Sequence, residues 1–136
     1  MGLDIGDRWI GVALSDPDGI LASPLTIIDR QDDRQDIEAI IGLIKQHQAE
    51  QIIVGLPRSM DGSLGEQAKK VKTFTQKISR QTETPVEFRD ERLTTVSAKR
   101  LRRTASTRKA RRDRDDAIAA AIILQGYLDE ERSPSR

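Results

Sequence analysis

The chain contains no cysteine. That excludes disulfides, thiol nucleophiles and thiolate zinc sites together, and it suits a reducing cytoplasm. No apolar run approaches the roughly 20 residues of a membrane-spanning helix, so no membrane partner is expected. Residue 4 is an aspartate, where a secretory leader would carry basic residues. The chain is therefore read as cytoplasmic. Histidine occurs once, as His47 between Gln46 and Gln48 on a polar helix face, so nothing supports a Ser-His-Asp apparatus. The aromatics are Trp9, Phe74, Phe88 and Tyr127. These are too few for base-stacking platforms, which leaves recognition of backbone and shape as the better expectation.

What the chain has in abundance is charge, unevenly placed. From Lys99 to Arg114 stand nine basic residues and one acid, Asp113, a net +8. The formal charge of the whole chain is +1, so the remainder carries −7. Such asymmetry marks a binder of polyanions. Lys99, Arg102, Arg103, Arg108, Lys109, Arg111 and Arg112 are the candidate contacts to nucleic-acid phosphate.

A length of 136 residues suits one domain, placed over 1–130, with a disordered tail over 131–136. Residues 2–28 read as three strands with short links, an antiparallel meander. Asp16-Pro17-Asp18-Gly19 marks a turn, and Pro24 suits an edge strand or a bulge. Ile37, Ile40, Ile41 and Ile44 then recur at helical spacing, predicting a helix over about 32–48. Residues 51–55 read as a buried strand. A second helix follows, with capping-box spacing of Ser63 and Glu66 at its start and a buried stripe of Ala68, Val71, Phe74, Thr75 and Ile78. Residues 85–89 form the next strand. A third helix is expected near Thr94 or Thr95, a basic loop over 104–110, and a last helix from about Asp113 to Glu130. Strands alternating with helices after residue 48 imply parallel pairing. The fold class is thus α/β: a mixed five-stranded sheet, three antiparallel strands then two parallel, flanked by helices.

Asp4 stands inside a short apolar strand between Leu3 and Ile5, where a charge is costly unless paired or metal-bound. Glu91 follows a strand directly, and ligand sites gather at the carboxyl ends of parallel strands. Asp113, Asp115 and Asp116 are placed at the start of the last helix, where dipole complementarity alone would account for them. Spacing does not choose among the three. Carboxylates converging from separate elements suit Mg²⁺ or Mn²⁺, and a pair of such ions activates water for phosphodiester cleavage. The loop 55–63 follows a strand and opens a helix, so Arg58 and Ser63 are candidate phosphate contacts. It lacks the spacing of a nucleotide P-loop.

Four ordered motifs then resemble one family. Gly2-Leu3-Asp4-Ile5-Gly6 with Ile10 to Asp16 resembles the opening of the YqgF/RuvX proteins. These are Holliday-junction-resolvase-like proteins also described as pre-16S ribosomal RNA nucleases. Val54-Gly55-Leu56-Pro57 with Met60 to Ser63, then Asp90-Glu91-Arg92-Leu93-Thr94-Thr95, are similar to the family's middle and most distinctive motifs. Asp116 with Ala119-Ala120 and Ile123-Leu124-Gln125 is similar to its final helix. The resemblance implies a ribonuclease H-like fold and a metal-dependent nuclease in rRNA 5′-end maturation. It implies an acidic triad of Asp4, Glu91 and Asp116 holding Mg²⁺ or Mn²⁺; Asp115 stays open as the alternative to Asp116. Arg92 joins the nucleic-acid contacts. The chain departs from the family in having Met1 abut the first motif, so the first strand looks clipped: either the recorded start is internal or the strand pairs poorly. Its arginine content over 99–114 is also unusually high.

The expected partners are precursor rRNA, branched DNA and ribosomal particles, bound by a monomer or a homodimer. A non-catalytic ribosome-assembly factor would use the same basic segment. An actin or sugar-kinase fragment ranks low, because those folds need a chain over twice as long.

Overall fold

The computed structural model describes residues 1–57, 65–90 and 108–132, with side chains described up to residue 90 and again over 117–131. The elements are β1 (Gly2–Ile5), β2 (Trp9–Ser15), β3 (Ala22–Asp29), α1 (Asp33–His47), β4 (Ile52–Leu56), α2 (Glu66–Gln81), β5 (Val86–Asp90) and α3 (Arg108–Arg132). The strands form one sheet in the order β3-β2-β1-β4-β5. β1 to β3 pair antiparallel, while β1–β4 and β4–β5 pair parallel. This is the mixed sheet that the sequence pattern predicts.

The sheet separates two cores. Leu3, Ile5, Ile10, Val12, Ile52, Val54 and Leu56 pack against the isoleucines of α1 and the Ala68, Val71, Phe74 and Ile78 stripe of α2. On the other face Ala13 and Ile53 pack against Ala120, Ala121, Ile123, Leu124 and Leu128 of α3. Alternation of side chains along each strand makes this division.

β1 is short but well paired. All four of its residues register with β2, and Gly2 and Leu3 register with Ile53 and Val54 of β4. Met1 extends the pairing: its carbonyl accepts from the Ile53 N–H at 2.8 Å and its amine donates to the Gln51 carbonyl at 2.9 Å. Burial lowers that amine to about 6. The expectation of poor pairing is therefore corrected. Backbone partners, not extra strand length, satisfy β1.

Pro24 lies on β3, an edge strand, and the register shifts there. Val12 faces Thr26 while Ala13 faces Pro24, so Leu25 is an extra residue. Gly19 takes φ +69° in the turn before β3, where Asp16 Oδ1 accepts from Ile20 and Leu21 N–H groups at 2.7 and 3.2 Å.

Three boundaries differ from the sequence reading. The N-cap of α2 is Gly65, without a side-chain cap bond, and Glu66 is the first helical residue; Ser63, the other half of the expected capping box, lies outside the described residues. α3 begins at Arg108, so residues 108–110 are helix and not loop. It continues through Glu131 and Arg132, the first two residues assigned to the tail. The helix expected near Thr94 lies outside the described residues. Among the described residues, no helix is long and apolar enough to cross a membrane.

Candidate active-site edge

β1, β4 and β5 run parallel, so their carboxyl ends share one edge of the sheet. Asp4 stands one residue before the end of β1 and is half-buried. Leu3 and Ile5 face α1 and α2, so Gly2 and Asp4 face α3. β5 ends at Asp90, and Glu91 is the next residue in the chain, outside the described residues.

α3 lies unusually close to β1. A Cβ built on Gly2 would stand 2.7 Å from the Ala120 carbonyl oxygen and 2.9 Å from Leu124 Cβ. Only glycine on the strand and alanines on the helix (Ala117, Ala119, Ala120, Ala121, all buried) allow this approach. The direction of α3 follows from its lower contacts. Gln125 accepts from the Ala22 N–H and donates to the Ile20 carbonyl, both at 2.8 Å. Tyr127 donates to Gln51 Oε1 at 2.8 Å, just before β4 begins. α3 therefore crosses β1 obliquely: its first half leads toward the carboxyl edge, while its last turns swing toward β5, where Arg89 pairs with Glu130 at 2.8 Å.

Residue 116 is one helical turn before Ala120, a rise of about 6 Å. Asp4 is two strand residues beyond Gly2, a rise of about 6.6 Å. The α3 backbone at 116 and Asp4 thus both lie on the carboxyl-edge side of the Gly2–Ala120 contact. The first turn of α3 contains no acid; it contains Arg108, Lys109 and Arg111. Dipole complementarity at the helix start, which would have explained Asp113, Asp115 and Asp116 without function, is thereby removed.

The remaining predicted residues divide simply. Arg108, Lys109, Arg111 and Arg112 lie in the first turns of α3. Arg58, Ser63, Arg92, Lys99, Arg102 and Arg103 lie outside the described residues. Among the described residues, no group of three or more acids or histidines is gathered to hold a metal.

The sequence reading missed a polar cluster below this edge. Asp36 is 1% exposed, inside α1. Its Oδ2 accepts from Arg30 Nε at 2.6 Å and its Oδ1 from the Gln31 N–H at 3.0 Å. Arg30 also donates to the Gly6 carbonyl at 2.9 Å and to Asp33 at 3.1 Å, and its guanidinium lies 4.6 Å from the Phe74 ring centre. Lys77 of α2 donates to Asp33 at 2.7 Å. Lys77 first, and then Arg30, hold the Asp33 carboxyl below its ordinary value of 3.8. A cavity of about 400 Å³ opens above this cluster, lined among others by Gly6, Asp7, Arg30, Lys70 and Phe74. Its lining cations, Arg30, Lys69 and Lys70, are matched by Asp7, Asp33 and Glu66. It is on the α1/α2 side, not the face that carries Asp4.

The fold as a whole is shared with solved structures of Thermus thermophilus RuvC. One, in complex with a Holliday junction substrate, superposes with a TM-score of 0.60 at 14% identity, covering 97% of this chain and 94% of that one. A second RuvC structure gives 0.54 at the same identity. The fold is therefore ribonuclease H-like, in the form that RuvC takes.

The family model described as "RuvX: Holliday junction resolvase" matches residues 1–130, and the chain belongs to that family. Relatives named "Putative pre-16S rRNA nuclease" include one from Dehalococcoides mccartyi, 50% identical over 130 residues, covering 96% of this chain and 97% of its own. Another, from Halothermothrix orenii, is 49% identical over 129 residues, with 94% and 92% covered. Family and fold together define a nuclease, a hydrolase of phosphodiester bonds.

Proposed function

We propose that this nuclease cleaves structured RNA, in the 5′-end processing of precursor 16S rRNA, with divalent metal held by Asp4, Glu91 and Asp116. The observation that carries the reading is the Gly2–Ala120 approach. It brings α3 against β1 so that residue 116 and Asp4 rise together toward the carboxyl edge. Residue 116 is on the helix face of Ala120, being four residues before it; Asp115 is a further 100° around. Asp113, seven residues before Ala120, shares that face but stands about one turn higher. Glu91 would enter from the end of β5, two strands away from β1.

The donor chemistry fits Mg²⁺ or Mn²⁺, since all three side chains are hard oxygen ligands. When bound, such ions activate water and stabilise the leaving oxygen of a phosphodiester. The chain's own contribution is to hold carboxylates from three elements at one edge. The basic first turns of α3 are continuous with the 99–107 segment and would track the phosphate backbone beside that edge. The substrate reading rests on the names carried by the relatives that span this chain. Branched DNA is the alternative substrate, on the strength of the family description.

The test is cleavage of a precursor rRNA fragment and of a four-way DNA junction, with Mn²⁺ or Mg²⁺. Wild type should cut the RNA, and Asp4→Asn should reduce turnover to background. Equal activity of both proteins would end the assignment of Asp4. Salt-sensitive RNA binding without turnover would favour a ribosome-assembly role instead.

A further inference from the structure

The turn that follows Asp4 is held by one residue from elsewhere in the chain. β1 ends at Ile5, and Gly6 to Arg8 lead into β2. Residue 30 grips this turn twice. Its guanidinium donates to the Gly6 carbonyl at 2.9 Å, and its backbone N–H donates to the Arg8 carbonyl at 2.8 Å. The guanidinium is itself fixed by Asp36, by Asp33 and by the Phe74 ring. Asp33 is tied in turn to Lys77, so the turn is coupled to both α1 and α2.

A buried ion pair is a poor device for stability alone, because apolar residues of similar volume often serve as well or better. What the Arg30–Asp36 pair adds is direction. A planar guanidinium with three defined partners sets the Gly6 peptide in one orientation. Gly6 is two residues beyond Asp4 on the same backbone. Because Arg30 stacks on Phe74 in the α1/α2 core, it lies across the sheet from the face that Asp4 presents. Its route to Asp4 runs through the Gly6 peptide.

We infer that Arg30 is a positioning residue, which sets the Asp4 carboxylate for metal through the Gly6 carbonyl; this rests on the proposed metal role of Asp4. Mg²⁺ demands near-ideal octahedral geometry, so a small swing of the β1 end alters metal affinity before it alters RNA binding.

The experiment compares Arg30→Gln and Arg30→Lys with Asp4→Asn and with Ile44→Ala. Ile44 lies in the same core but near the far end of α1. Thermal stability, Mn²⁺ affinity by titration calorimetry, and kcat and KM on the RNA are measured for each. Arg30→Gln should weaken Mn²⁺ binding by about 10-fold or more, lower kcat and leave KM unchanged, with Arg30→Lys between it and wild type. Ile44→Ala should lower stability without moving Mn²⁺ affinity. If Arg30→Gln does not fold, Arg30→Lys carries the comparison. Wild-type Mn²⁺ affinity in both Arg30 variants, with affinity lost in Asp4→Asn, overturns the role of Arg30 alone. So does an equal loss in Ile44→Ala. Unchanged Mn²⁺ affinity in Asp4→Asn overturns the Asp4 reading, and the positioning role with it.

Discussion

The α-carbon of Gly2 faces the carbonyl of Ala120 so closely that a methyl group on residue 2 would sit 2.7 Å from that oxygen. The obstacle is helix backbone, which cannot rotate aside. Gly2→Ala should therefore cost about 1–3 kcal/mol and push α3 away from β1. A chemical denaturation curve gives the cost. Loss of activity beyond that of an equally destabilised variant would show that the helix-to-strand spacing matters for chemistry.

The buried carboxylate of Asp36 makes a second prediction. Asp36→Asn removes the charge opposite Arg30 and leaves one acceptor oxygen for two donors, Arg30 Nε and the Gln31 N–H, and should destabilise by about 3 kcal/mol. Replacing both Arg30 and Asp36 with methionine and leucine should cost less than the sum of the single changes. A double-mutant cycle by thermal unfolding measures the difference.

Asp33 sets a pH dependence. Its carboxyl is depressed below 3.8 in the fold by Lys77 and Arg30. The stability it contributes is therefore present above the unfolded value and is lost as pH falls through the folded one. Lys77→Met should flatten that acid limb. An NMR titration of the Asp33 carboxyl carbon should show its midpoint moving back up toward 3.8. No movement would mean that Lys77 does not hold it.

The basic start of α3 predicts effects of opposite sign. Cations at a helix N-terminus oppose the macrodipole, by about 0.3–1 kcal/mol each. Changing Arg108 and Lys109 to glutamine should raise the melting temperature. The same change should weaken RNA binding and make it less salt-dependent, with the log–log slope falling by about 1 for every phosphate that is no longer neutralised. Filter binding across a salt series reads the slope directly. An unchanged slope would remove these two residues from the RNA interface.

Tyr127 supplies a control at the opposite edge. Tyr127→Phe removes the 2.8 Å bond to Gln51 and should cost about 1 kcal/mol. Cleavage by the folded protein should be unaffected, as measured under saturating Mn²⁺.

The sheet and the helical faces were legible because burial imposes a period. The stripe Ala68, Val71, Phe74, Thr75 and Ile78 is the buried face of α2, residue for residue. The start of α3 was not, because arginine, lysine and alanine are strong helix formers whose charge reads equally well as a basic loop. Gly65 is the N-cap of α2, a choice of one or two residues that local pattern does not make. The Arg30–Asp36 pair escaped because an acid in the first turn of a helix has an ordinary explanation in the dipole. One signal was available: Asp36 is four residues before Ile40 and so shares its buried face. Asp4 was legible as a charge between Leu3 and Ile5. Asp116 was separated from its neighbours only by family resemblance, and α3 now adds its position one turn before Ala120.

The irregularity at Leu25 bears on how these molecules behave in a crowd. An open outer strand is a template on which another chain can add its own. On β3, Pro24 has no N–H to offer, and the extra residue beside it breaks the regular spacing of the free backbone groups. The apolar side chains nearby, Ile20, Leu21 and Leu25, are exposed, which would otherwise invite such growth. The proline and the bulge together blunt that edge, so many copies of this chain can be crowded together without polymerising along their own sheets.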